Sequence, residues 1–237
     1  MRLTRTIRIV FGGIFFTLIC FVGHVAVVDA QEMSVEESYL QETVETMIIR
    51  EYVRSNDRDG KLIALEFLRQ MIDNGESPKE VQALLAYLAL EGILNKTRSE
   101  GRTANNFPDI RLKAVEYLGD LGLKEASDTL LRVIQAENEP AIVSTAVRSL
   151  SKLGYNDNNY TLNLIIHVFN RYDAGKPNNV LAVSVIDSCN AFIENGDKKN
   201  PWIYATLMHI SNNPSYMMPV RNYANKTLAQ LYKKGEN

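Results

Sequence analysis

The chain has 237 residues, of which 46% are hydrophobic and 23% are charged, and its formal net charge is -2. This balance excludes the strongly basic surface with which general nucleic-acid binders neutralise phosphates. The length is enough for one large domain or one short helical solenoid with a continuous core.

Residues 1–30 have the pattern of a secretory signal peptide. Three arginines precede an apolar run at 9–28, and the small-residue sequence VDA leads to Gln31. This arrangement predicts export and cleavage before Gln31. An uncleaved anchor is the alternative, because about 20 apolar residues also span a bilayer. We therefore expect the protein in the periplasm or cell envelope of a bacterium, with membrane contact only through residues 1–30 if they are retained.

The remaining residues, 31–237, are expected to form one domain. Removal of the signal leaves Cys189 as the only cysteine, which cannot form an internal disulfide. Three arginines and Asp29 also leave, so the formal charge becomes 23 minus 27, which is -4. Stability must then come from packing, and a nucleic-acid partner is not expected.

A helical segment is repeated within this domain. PDIRLKAVEYLGDLG at 108–122 returns as PAIVSTAVRSLSKLG at 140–154 and as PVRNYANKTLAQLYKKG at 219–235. Apolar residues recur in each copy at spacings of 4, 4 and 3, which places them on one face of a helix. A small side chain inside that face predicts close approach to a neighbouring helix. Alanine holds this position in all three copies, as Ala114, Ala146 and Ala224.

Each repeated helix follows another segment with its own apolar face, so the repeating unit is a helix pair. Because one pair cannot bury both faces alone, neighbouring pairs must stack. No alternating stretch argues for strands. The sequence predicts an all-α, right-handed α-solenoid of about five antiparallel pairs. Their predicted bounds are 35–54 with 60–73, 79–95 with 108–121, 124–136 with 140–153, 159–171 with 178–194, and 199–212 with 218–233.

The order of leucine pair, turn, proline, alanine, leucine and terminal glycine resembles HEAT repeats, especially the short phycobilisome-lyase-like class. The arginine of the second helix in that family is matched by Arg111 and Arg221, whereas Val143 occupies the position in the repeat that fits best. The resemblance implies a non-catalytic scaffold that binds protein or peptide partners, without a cofactor, on a concave face lined by second helices. Chromophore or cofactor lyases and nucleic-acid-binding solenoids, which share such repeats, are the alternatives.

Candidate contact residues follow from the helical offsets of the second helices. The loop at 95–109 is long for a helix connection and carries three basic residues, which could meet an acidic partner; disorder is the alternative. The loop residues are Lys96, Arg98 and Arg102. The expected residues of the concave face are Lys113, Glu116, Thr145, Arg148, Asp187, Asn222 and Lys226.

Candidate catalytic and metal-binding residues are few. His167 and His209 have no partners at metal-ligand spacing, so both are interpreted as surface histidines. Cys189 lies among apolar residues and is interpreted as a buried structural thiol. No phosphate-binding, nucleophile-elbow or dinucleotide motif occurs in the sequence. Aromatic residues near the last two pairs, including Trp202 and Tyr216, are expected to staple helix ends to the core, with interface anchoring as the alternative.

Overall fold

The structure is a computed structural model that describes residues 35–196 and 200–235. Ten α-helices occur in this part of the chain, alternating between two layers. The first helices of the pairs are α1 (Val35–Arg54), α3 (Pro78–Leu90), α5 (Ala126–Ala136), α7 (Tyr160–Gly175) and α9 (Pro201–Asn212). The second helices are α2 (Arg58–Asn74), α4 (Pro108–Leu121), α6 (Pro140–Leu153), α8 (Asn179–Glu194) and α10 (Met218–Gly235).

Proline and glycine set many of the helix ends. Pro108 and Pro140 open α4 and α6, where the missing backbone N–H costs no intrahelical hydrogen bond. Gly122 and Gly154 end the same helices in the left-handed region, at φ values of 71° and 63°. Glycine adopts this conformation without the steric penalty that other residues meet. The proline and glycine positions in the sequence therefore define these helices correctly.

The helix pairs stack in chain order. The second helices from α2 to α10 each pack on the next second helix, and the first helices from α3 to α9 do the same. The two helices within each of the last four pairs also pack together, so apolar side chains fill the space between the layers. The predicted all-α solenoid of five pairs is confirmed. The three alanines of the repeated face, Ala114, Ala146 and Ala224, are fully buried.

Contacts divide the chain after Thr43, and residues 44–237 form one compact unit. The predicted signal at 1–30 lies outside the described residues, so the predicted domain boundary stays a prediction. Within the described ranges, no helix combines the length and the apolar character needed to cross a membrane.

The second pair departs from prediction in two places. Helix α3 ends at Leu90 rather than at residue 95, because Glu91 turns to an extended conformation and its side chain enters the core. The following connection contains two short antiparallel strands, β1 (Arg98–Ser99) and β2 (Arg102–Thr103), although the sequence predicted none. The two residues between the strands, Glu100 and Gly101, have positive φ values, as tight hairpin turns require.

Candidate functional site

A buried ion pair joins the first two helix pairs. The ammonium nitrogen of Lys61, on α2, lies 3.0 Å from Oε2 of Glu91, and neither side chain is more than 4% exposed. Lys61 also donates a 2.6 Å hydrogen bond to the carbonyl of Val53. A buried charge is tolerated only when it is paired and hydrogen-bonded, so these contacts explain how a lysine fits in the core.

The same arrangement joins the second and third pairs. Arg111, on α4, donates from Nε to Oε2 of Glu137 at 2.8 Å, and each side chain is 3% exposed. Nη1 of Arg111 bonds Oδ1 of Asn106 at 2.8 Å and the carbonyl of Glu91 at 3.3 Å. The other oxygen of Glu137 accepts the backbone N–H groups of Asn138 and Glu139, at the start of α6. We call the Lys61–Glu91 and Arg111–Glu137 pairs the inter-repeat clasps.

Both clasps occupy one register of the repeat. The cation is the fourth residue of a second helix, and the glutamate directly follows the first helix of the next pair. The third and fourth pairs have no clasp between them. The fourth residue of α6 is Val143 and the residue that follows α7 is Lys176, so both the cation and the glutamate are missing. Arg221 occupies it in α10, and its buried Nε has no hydrogen-bond partner among the described residues. Arg111 and Arg221 were identified from the sequence, whereas Glu91 and Glu137 were missed. The signal that could have identified these two residues is that a glutamate directly follows each of two first helices.

The hairpin between α3 and α4 is hydrogen-bonded to Glu91 of the first clasp through Asn105. The Asn105 amide is buried, accepts the N–H of Thr97 at 2.8 Å, and donates to the carbonyl of Asn95 at 2.9 Å and to Glu91 at 3.3 Å. These hydrogen bonds hold the connection in a defined conformation. It exposes three basic side chains that form no ion pair within the described chain: Lys96, Arg98 and Arg102.

Four of the seven predicted contact residues lie exposed on the second helices. Arg148 is held by a 3.2 Å hydrogen bond from Nη2 to the hydroxyl of Thr145 on its own helix. The other three side chains make no hydrogen bond or ion pair to the rest of the described chain. We call these four residues the second-helix face; they are Glu116, Arg148, Asn222 and Lys226.

The other three predicted contact residues are engaged within the protein. Thr145 is buried, because α6 is flanked on both sides by other second helices, and its hydroxyl donates to the carbonyl of Ala141 at 3.0 Å. Asp187 is half-buried and accepts a 2.6 Å bond from the hydroxyl of Tyr223. Lys113 lies 3.6 Å from Glu66 on α2. Binding of a partner through any of the seven residues stays a prediction.

A second set of ionic contacts crosses the second helices near their C-terminal ends. Asp120 on α4 accepts from Arg69 on α2 at 2.8 Å and from Lys152 on α6 at 2.7 Å. Burial acts to raise the pKa of the Asp120 carboxyl, but the hydrogen bonds from Lys152 and Arg69 outweigh it and hold the pKa below its ordinary value. These charges are therefore satisfied within the protein.

The two predicted surface histidines have different roles. His209, on α9, lies 2.7 Å from Asp173 on α7, and the same carboxylate accepts the Tyr216 hydroxyl. Burial, followed by the hydrogen bond to Asp173, raises the pKa of Tyr216 above its ordinary value. His167 is exposed and takes no part in this cluster. No group of three or more potential ligand side chains that could hold a metal occurs in the part of the chain that the structure describes.

Cys189 is fully buried on α8, as predicted. Burial raises the pKa of its thiol to about 12, so the thiolate is scarce at neutral pH. The side chain therefore serves packing rather than nucleophilic chemistry.

The aromatic residues of the last two pairs divide into two groups. Tyr216 is 2% exposed and stacks on Phe169, so the prediction of a staple is correct there. Trp202 is 60% exposed, and the same prediction is wrong for it. The indole lies on the first turn of α9, which begins at a solvated helix end rather than against the core.

Comparison with protein families agrees with this geometry. Residues 97–168, which span the hairpin, α4 to α6 and part of α7, match the family model described as HEAT repeats. This match and the ten helices of the described chain, stacked as successive pairs, fit a HEAT-like helical repeat protein. HEAT repeats generally form non-catalytic scaffolds for protein interaction. No match was found among curated proteins or among solved structures.

Proposed function

We propose that this chain is an exported, non-catalytic scaffold that holds a protein or peptide partner on its second-helix face in the cell envelope. The observation that carries the proposal is the continuous layer of second helices from α2 to α10. It presents an acidic, a neutral and two basic side chains, with the basic hairpin beside α4. Side chains of mixed charge favour a partner of mixed charge over a polyanion.

The structure of the repeat supports a rigid rather than an adaptable surface. The inter-repeat clasps connect consecutive pairs, and the contacts of Asp120 connect α2, α4 and α6, so the spacing of Glu116 and Arg148 is fixed before a partner arrives. Preorganisation of this kind improves affinity because less conformational freedom is lost on binding. A scaffold therefore needs few direct contacts on each helix.

Charge reversal tests the binding surface. We expect the double variant Arg148→Glu, Lys226→Glu to lose most of the partner that a photocrosslinker placed at Glu116 captures in cells. Each exposed charge contributes about 0.2–1 kcal/mol, and reversal also adds repulsion, so a loss of at least about tenfold is expected. Crosslinked products are quantified by mass spectrometry against the unsubstituted chain.

A matched control uses the other layer of helices. Lys79 on α3 and Arg132 on α5 are also exposed, so the variant Lys79→Glu, Arg132→Glu makes the same change in net charge. It should retain the captured partner. Equal loss in both double variants would contradict recognition by the second-helix face, and capture of no protein from any form would contradict the scaffold itself.

Export is tested separately by intact mass. The sequence of residues 1–30 supports cleavage before Gln31, so the protein recovered from the envelope of its own host should lack the mass of those 30 residues. A full-length mass in the membrane fraction would support the anchor instead. Recovery of the protein only from the cytoplasm would contradict export.

A further inference from the structure

Two adjoining cavities form a groove between the first helices α7 and α9. One has a volume of about 460 Å³ and is lined mainly by asparagines, including Asn158, Asn159 and Asn200. The other has a volume of about 310 Å³ and is lined by Asn163, His167 and Asn170 on one face of α7. Asn163 and Trp202 border both cavities, so the two are parts of one groove, which we call the Asn–Trp groove.

The polar groups of the groove are partly fixed and partly available. Oδ1 of Asn159 accepts from Asn156 at 3.1 Å and from Asn200 at 3.4 Å, while Asn200 also caps α9 through the N–H of Trp202. By contrast, the amides of Asn158, Asn163 and Asn170 make no hydrogen bond to another described residue. Each such amide offers donors and an acceptor from one side chain.

The described lining of the groove carries no charged carboxylate, lysine or arginine, and it includes one large flat side chain. No aspartate, glutamate, lysine or arginine is among the described residues that line either cavity. Trp202 is 60% exposed and supplies the largest flat apolar surface of the groove. Residues 197–199, which connect Gly196 to Asn200, lie outside the described residues, and the groove is defined without them.

We propose that the Asn–Trp groove binds a neutral oligosaccharide. A pyranose ring has an apolar face of C–H groups that stacks on an indole, and hydroxyls that both donate and accept hydrogen bonds. Carboxamides match those hydroxyls because they also do both. A charged ligand would find no counter-ion among the described residues of this lining, and a peptide would lack the apolar pockets that usually bind its side chains.

The groove uses a different layer from the second-helix face. It lies on α7 and α9, whereas the proposed protein contacts lie on α4, α6 and α10. The two proposals can therefore fail independently. Together they would make the protein a bridge between a glycan and a protein of the cell envelope.

The position of the indole provides a direct assay. Trp202 is the only tryptophan in the chain, so its emission reports on the groove when it is excited at a wavelength that the 11 tyrosines do not absorb. We would titrate the full chain with hexamers of β-1,4-linked N-acetylglucosamine, β-1,4-linked glucose, α-1,4-linked glucose and β-1,4-linked mannose. A saturable change in emission is expected with at least one of them below about 10 mM, a weak but specific affinity.

Lining variants test whether the response comes from the groove. Asn163→Ala and Asn170→Ala should each weaken binding by about three- to tenfold, the usual net effect of a lost hydrogen bond. Asn225→Ala, at an exposed position of α10 in the opposite layer, should leave the affinity unchanged. Trp202→Ala, followed by calorimetry, should weaken binding at least about tenfold while leaving the melting temperature nearly unchanged, because the side chain is mostly solvated.

Three results would overturn the proposal. The first is no response to any of the four hexamers. The second is a response that Asn163→Ala and Asn170→Ala leave unchanged. The third is equal or tighter binding of a terminally blocked glycine–serine hexapeptide, which would show that the groove binds polar peptide instead of carbohydrate.

Discussion

Replacing Arg111 by methionine is expected to lower the free energy of unfolding by about 3–5 kcal/mol, as measured by urea denaturation followed by circular dichroism. The substitution leaves the Glu137 carboxylate at 3% exposure without its cation. It also removes the donor to Asn106 and to the Glu91 carbonyl. A buried charge without a partner is among the most destabilising changes a core can suffer.

Two further variants separate the effect of losing the clasp from the effect of losing an arginine side chain. Arg148→Met removes an exposed arginine from the next second helix and should change stability by no more than about 0.5 kcal/mol. The double variant Arg111→Met, Glu137→Met removes both charges and should recover much of the lost stability, since an apolar pair can replace a buried ion pair. A loss below about 1 kcal/mol in Arg111→Met would refute the assignment of Arg111 to a clasp that the fold requires.

Replacing Gly119 by alanine is expected to destabilise the protein by about 1–3 kcal/mol through overpacking. Gly119 lies where α4 meets α6, and an added Cβ would stand 2.5 Å from Oγ and 2.9 Å from Cα of Ser149. Ser149 cannot easily turn away, because its hydroxyl donates to the Val115 carbonyl at 2.9 Å. The helices would have to separate.

Gly175 provides the matched control within the same fold. It is also helical, and an added Cβ there would meet no atom within 4 Å. Gly175→Ala should therefore stabilise the protein by about 0.4–1 kcal/mol, because alanine loses less backbone freedom on folding. Thermal and urea unfolding of both variants give the comparison. Equal effects would mean that helix propensity, rather than contact with Ser149, decides the outcome at Gly119.

The solenoid could be predicted from sequence because its signals are local. Pro108, Pro140, Gly122 and Gly154 mark helix ends within a few residues of the helices that they bound, and the apolar spacing of 4, 4 and 3 is visible inside each helix. The end of α3 could not be predicted in this way. Its cause is the contact of Glu91 with Lys61, 30 positions earlier in the chain.

The exposed faces and the groove were harder to predict, because they also depend on contacts between helices that are distant in the sequence. Helical offsets correctly placed Glu116, Arg148 and Lys226 on the exposed side of the second helices. They failed for Thr145, because a helix between two neighbours is buried on more than one side. The Asn–Trp groove could not be predicted from one helix alone. Asn163, His167 and Asn170 share a face of α7, but the tryptophan that completes the lining comes from the next pair.

The register of the inter-repeat clasps means that the helix pairs of this protein are not interchangeable. A pair whose first helix is followed by glutamate can be stacked after α2 or α4, each of which supplies a buried cation. Placed after α6 or α8, the same pair would bury its carboxylate against Val143 or Ala182. The order of neighbours is thus encoded in side-chain charge within an otherwise uniform apolar stack, and shuffled arrangements of the same helices would be disfavoured.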